Sequence, residues 1–106
     1  MELEEVIMNI IISAGEARAF AYEALHKANE GKYDEADDLM KKANEEIGKA
    51  HNVQTSLIQK EANGEKLDVS VLFVHAQDHI MTAISEKNLI KEIIDLRKVV
   101  NSLINK

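Results

Sequence analysis

The stretch Val69-Ser70-Val71-Leu72-Phe73-Val74-His75-Ala76-Gln77-Asp78-His79-Ile80-Met81-Thr82-Ala83 opens a periodic run that continues to Ile104. At about 100° per residue, Leu72, Phe73, Ala76, Ile80, Ala83, Ile90 and Ile94 fall on one face of a helix. Val71, His75, Asp78, Thr82, Ser85, Leu89, Leu96 and Leu103 follow a second line, roughly on the opposite side. A helix in a solitary three-helix bundle needs one apolar stripe and is polar elsewhere. This helix has two, so the pattern predicts two partners. One face packs on the rest of its own chain, and the other packs most simply on copies of itself.

Upstream, two glycines punctuate the chain. Gly31 in Asn29-Glu30-Gly31-Lys32 and Gly64 in Ala62-Asn63-Gly64-Glu65 each follow a periodic segment, where a helix C-cap places one. Asp68 is the expected N-cap of the last helix. The reading is therefore all-α: one domain over residues 1–106, with three long helices near Leu3–Ala28, Tyr33–Ala62 and Val69–Ile104, successive helices antiparallel. The first helix carries the seam Leu3, Ile7, Ile10, Ala14, Ala17, Ala21, Ala24, Ala28. The second repeats that rhythm with Ala36, Met40, Ala43, Ile47, Ala50, Gln54 and Leu57. Seams spaced alternately by four and three mark helices packed at shallow angles, and alanine lets their backbones approach closely. The short connection at Gly31 makes the first two helices a hairpin.

Composition narrows the function. Apolar residues make up 45% of the 106 and charged residues 30%, a globular rather than a disordered profile. A net charge of −6 argues against nucleic acid, which demands a basic footprint, and suits a partner with a positive face. No stretch approaches the roughly 18 apolar residues of a membrane span. The start Met1-Glu2-Leu3-Glu4-Glu5 is acidic where a secretory signal is basic, and cysteine is absent, which together point to the cytoplasm. Proline is absent too, in keeping with long unbroken helices.

The residues Ala28, Gly31, Tyr33 and Ala36 imitate the turn of a tetratricopeptide repeat, but only one copy occurs and repeat arrays need at least three. His26 lies near a helix end, where a cation meets the dipole favourably, and His51 reads as a polar neighbour of the seam. The informative pair is His75 and His79, four apart on one helical face, with Asp78 beside His75. Two imidazoles one turn apart can chelate a metal, yet Ala76 stands where a zinc protease needs glutamate and no third ligand is evident. Neutral imidazole is also a nucleophile near neutral pH, and its phosphorylated nitrogen passes the group onward readily. A non-catalytic helical adaptor or a histidine-based metal-binding bundle remains the alternative at this point. Phosphate transfer separates the first and metal titration the second.

Three separated stretches carry a resemblance that covers nearly the whole chain. They are Ile12-Ser13-Ala14-Gly15-Glu16-Ala17-Arg18, then Ala50-His51-Asn52-Val53-Gln54-Thr55-Ser56-Leu57-Ile58-Gln59-Lys60-Glu61, then Val74-His75-Ala76-Gln77-Asp78-His79-Ile80-Met81-Thr82. In this order they resemble the lactose/cellobiose (chitobiose) class of enzyme IIA components of the bacterial phosphoenolpyruvate-dependent sugar phosphotransferase system. The resemblance implies a parallel homotrimer, a nine-helix bundle, with His75 phosphorylated through its ε nitrogen. It implies the histidine-containing phosphocarrier protein as donor and a cysteine of the cognate enzyme IIB as acceptor, during uptake of a β-linked disaccharide. It also implies that Asp78 meets its symmetry mates around a magnesium ion at the trimer interface, one ion per trimer. A carboxylate bonded to Gln54 or Ser85, with no ion, is the alternative for Asp78. For His79, orienting the phosphate and simple packing stand level.

Overall fold

Sixteen apolar side chains are buried, and ten of them are alanines. That ratio explains the shape: slender helices lie close together in a rod of 60 × 20 × 19 Å. The computed structural model describes residues 3–105. It contains α1 (Leu3–Asn29), α2 (Tyr33–Ala62) and α3 (Val71–Ile104) in up-down-up order. Among the described residues no helix is long and apolar enough to cross a membrane.

The seams close as their spacing predicts. In α1, Ile7, Ile10, Ala14, Ala17, Ala21, Ala24 and Ala28 are buried, and in α2 Ala36, Ala43, Ala50, Gln54 and Leu57 are buried. Met40 and Ile47, expected in the same seam, are only half-buried. The central helix is α1, which packs along both neighbours, whereas α2 and α3 touch little. The core divides accordingly. Ile7, Ile10, Ala14, Ala50, Leu57, Ala76, Ile80 and Ala83 cluster near the start of α3. Ala21, Ala24, Ala28, Ala36, Ala43, Ile90 and Ile94 form the other cluster, toward the α1–α2 turn.

Both glycines end helices in the left-handed region, at φ 79° for Gly31 and 94° for Gly64. At the first, the Gly31 N–H donates to the Ala28 carbonyl at 3.0 Å and the Lys32 N–H to that of Lys27 at 2.9 Å. Gly64 and Glu65 repeat the pattern on Glu61 and Lys60. This bond pair satisfies the last carbonyls of a helix and needs a residue without a Cβ at the reversal. At the far end, Asn101 Nδ2 donates to the Tyr33 hydroxyl at 2.7 Å, latching α3 to the hairpin turn.

The start of α3 differs from the sequence reading. Ser70, not Asp68, is the N-cap: its backbone is extended and its Oγ accepts from the Phe73 N–H at 3.1 Å. The helix thus begins at Val71 rather than Val69, because serine satisfies an orphan N–H in the first turn while Asp68 lies two residues too early.

The two faces of α3 are distinct. Ala76, Ile80, Ala83, Ile90 and Ile94 are buried, and Leu72 and Phe73 pack half-buried against the first cluster. Every member of the second line is exposed, including Val71 at 88%, Leu89 at 61%, Leu96 at 62% and Leu103 at 61%. Four large aliphatic side chains left in water along one line demand a cover that a single chain does not supply.

Candidate functional site

The site assembles around the second and third turns of α3. His75 is exposed, and its ring stacks on that of His79, with centroids 5.8 Å apart and planes 10° from parallel. Their i, i+4 spacing on one helix makes the stack possible. His79 turns toward α1 and is half-buried, whereas His75 stays at the surface.

From α1, Arg18 reaches across and holds the inner ring. Its Nη1 lies 3.1 Å from His79 Nδ1, and its Nη2 donates to Thr82 Oγ1 at 2.7 Å. The Thr82 hydroxyl in turn donates to the Asp78 carbonyl at 2.8 Å. Arg18 Nε faces Glu86 Oε2 at 3.0 Å, and these two buried atoms have only each other as partners. Guanidinium has donors and no acceptor, so the His79 nitrogen it touches must offer a lone pair. Burial first, then the charges of Arg18 and His75, hold the His79 pKa below its ordinary 6.5. The ring is therefore neutral near pH 7, and its hydrogen sits on Nε2. Gly15 lies beside that nitrogen, where an added Cβ would stand 3.5 Å from Nε2.

From α2, the buried Gln54 donates to Gln77 Oε1 at 2.9 Å. The Gln54 bond to Asp78, weighed as one alternative to a metal there, is not among the contacts, since the Gln54 amide donates to Gln77 instead. The Asp78 carboxylate is exposed on the outward line. His26 and His51 are exposed and stand outside this cluster. On the α2 side of His75, Leu57, Leu67, Val69, Phe73 and Val74 line an apolar groove of about 280 Å³.

All three sequence stretches thus meet here: Gly15 and Arg18 from the first, Gln54 from the second, and the His75–Thr82 turn from the third. The sequence reading placed His75, His79 and Asp78 but assigned no role to Arg18, Gly15 or Glu86. Gly15 lies within the first quoted stretch and Arg18 closes it, the one signal in the sequence that they face something. A chelating His75–His79 pair does not fit the geometry, because Arg18, a cation, occupies the lone pair of His79. Among the described residues no three acidic, histidine or cysteine side chains gather within one chain to hold a metal.

The depressed His79 pKa has a testable sign. The folded state disfavours the protonated ring, so its stabilising contribution is complete above 6.5 and is lost as pH falls below that value. An NMR titration of the imidazole signals is expected to place the His79 midpoint below 6.5, and Arg18→Met is expected to raise it. A midpoint at or above 6.5 in the unaltered protein would contradict the contact.

An all-helical chain with an exposed histidine stacked on a clamped one matches a defined class. The sequence model described as "PTS system, Lactose/Cellobiose specific IIA subunit" matches residues 5–98, and the chain belongs to this family, a IIA component of the sugar phosphotransferase system. It is similar to the cellobiose-specific enzyme IIA of Bacillus anthracis, 50% identical, with a TM-score of 0.91 over 96% of this chain and 94% of that one. The lichenan-specific phosphotransferase enzyme IIA component of Bacillus subtilis is 46% identical over 90% of this chain and 86% of its own length. A further match is to the N,N'-diacetylchitobiose IIA of Escherichia coli, solved in complex with HPr, at 40% identity and a TM-score of 0.83 over 95% of this chain and 98% of that one.

Proposed function

We propose that this chain accepts a phosphoryl group on His75 from the histidine-containing phosphocarrier protein, HPr, and passes it to a cysteine of its cognate enzyme IIB in the cytoplasm, during uptake of a β-linked disaccharide. The observation that carries this is the asymmetry of the pair: His75 is exposed, while Arg18 engages His79. The HPr complex of the E. coli relative supports the donor.

Two balanced displacements suffice. In the first, the lone pair of the neutral His75 ε nitrogen attacks phosphorus on the phosphorylated carrier. A new N–P bond forms as the carrier's P–N bond breaks, and that electron pair returns to the carrier's imidazole. In the second, a thiolate of enzyme IIB attacks the same phosphorus, and the pair of the broken P–N bond returns to His75. Such transfers rest on positioning and charge stabilisation more than on covalent help. The stacked His79 ring and the helical platform supply the positioning, and the apolar groove beside Val74 offers docking area. Mixing the chain with phosphoenolpyruvate, enzyme I and HPr is expected to place one acid-labile phosphoryl group on each chain. No label on the chain would sink the carrier reading.

The working form is a parallel homotrimer built on the outward line of α3. This arrangement converges three copies of Asp78 near the axis, among Val71, Leu89 and their symmetry mates. Three carboxylates brought out of water must take up protons or share a cation. The donor set fits: an exposed carboxylate on the packing line gives oxygen-only ligands, which suit magnesium with water completing its shell. That ion would supply neutralising charge at the interface and no chemistry at His75. In the unaltered protein, a chelator is expected to lower the melting temperature at neutral pH and to matter less in acid, where protons replace the cation. Asp78→Leu is expected to give a trimer that chelator does not touch. Equal indifference of both proteins at every pH would exclude a structural metal at Asp78.

A further inference from the structure

The inner histidine is held at one edge and left open at the other. Arg18 spans 61 residues of sequence to reach His79 Nδ1, and its two remaining nitrogens are fixed by Thr82 and Glu86. A guanidinium with all three nitrogens engaged is a rigid bracket, not a mobile charge. The opposite edge of the ring, at Nε2, lies beside Gly15, whose backbone carries no side chain to cover it. Glycine in mid-helix costs stability relative to alanine, so a position of this kind invites a reason beyond the fold.

We propose that Arg18 is a positioning residue for phosphoryl transfer, which fixes His79 with its Nε2–H outward past Gly15 as a hydrogen-bond donor to the phosphoryl oxygens on His75. The inference rests on the assignment of His75 as acceptor. With the two rings 5.8 Å apart and nearly parallel, a phosphoryl oxygen on one is within reach of an N–H on the other. The donor matters most while charge builds on the transferring group, because a pre-aimed N–H needs no reorganisation at that moment. The three Arg18 nitrogens face His79, Thr82 and Glu86, so its influence passes through the ring it holds, and the substitution cycle below separates that route from direct contact by its two remaining N–H groups.

A double-substitution cycle tests the route. Arg18→Met and His79→Phe are each expected to slow transfer from phosphorylated HPr by roughly tenfold or more, the size of losing one charge-assisted hydrogen bond. If Arg18 acts through His79, the double variant is no slower than His79→Phe alone. Arg18→Lys, which keeps the charge but loses the fork, is expected to behave like Arg18→Met. Gly15→Ala is expected to melt higher than the unaltered protein and yet transfer more slowly, a combination that a purely structural role does not produce. Imidazole nitrogen shifts of the unphosphorylated protein give an independent reading. They should report His79 as the Nε2–H form in the unaltered chain and a changed ring environment in Arg18→Met. Multiplicative losses in the cycle, full activity of Arg18→Lys, or His79 shifts indifferent to Arg18 would each overturn the proposal. An unlabelled His75 in the unaltered protein would overturn the carrier reading instead, while the nitrogen shifts still judge the bracket.

Discussion

His75→Gln is expected to give a protein that folds and assembles as before and accepts no phosphoryl group at all. The substitution removes the nucleophilic nitrogen but disturbs little else, because the side chain is exposed and contributes nothing to either core cluster. Surface substitutions of that kind usually change stability by no more than about 0.5 kcal/mol. His26→Gln and His51→Gln, equally exposed but away from the Arg18 bracket, are expected to be labelled like the unaltered chain. His79→Gln separates the pair: it should still be labelled, since the accepting nitrogen is intact. Radiolabel from phosphoenolpyruvate, followed by acid treatment and intact mass, reads all four. Undiminished labelling of the His75 variant would remove it from the mechanism.

The second large effect concerns assembly. Leu96→Glu is expected to sediment as monomers of 11.9 kDa at concentrations where the unaltered chain, as the proposed trimer, is expected at three times that mass. Leu96 is 62% exposed in the single chain, so within one subunit a glutamate there meets water and costs little. In the proposed trimer each copy would lose about 1.5–3 kcal/mol of leucine burial, and a charge would be buried without a partner. Three copies fail together. Lys91 lies off the outward line and pairs with Asp95 at 3.1 Å, so Lys91→Ala is expected to leave the mass unchanged. Leu89→Glu should reproduce the Leu96 result. A monomer as stable as the unaltered protein would mean that the exposed line serves another purpose.

The fold was legible because helical seams depend on local spacing, and 3.6-residue periodicity is a property of the chain itself. Every buried alanine of α1 lies where the four-three rhythm puts it. The beginning of α3 was less legible. Asp68 and Ser70 both cap helices well, and only the backbone path decides which oxygen reaches Phe73. His75 and His79 could be paired from their spacing, because both sit on one helix. Arg18 could not be joined to them that way: contact between helices depends on how each is rotated about its axis and how far it slides, and neither is written in one segment's pattern. Gln54 shows the same limit. Its place in the seam predicted burial, which is found, while its partner Gln77 could not be read from the spacing of either helix.

The spare contact between α2 and α3 has a bearing on how the molecule comes to be folded. Only three residues join α1 to α2, so that hairpin closes over a very short loop, and its alanine seam can zip from the Gly31 turn without help from the rest of the chain. Eight residues separate α2 from α3, and α3 then finds its main surface on α1, the more distant helix in sequence. The entropic cost of closing a loop rises with its length, so closing α1 on α2 costs less than docking α3 on α1. The Arg18–His79 contact belongs to the costlier of the two pairings, that of α3 on α1. With α3 undocked there is no bracket, and His75 would be exposed without the geometry to use it.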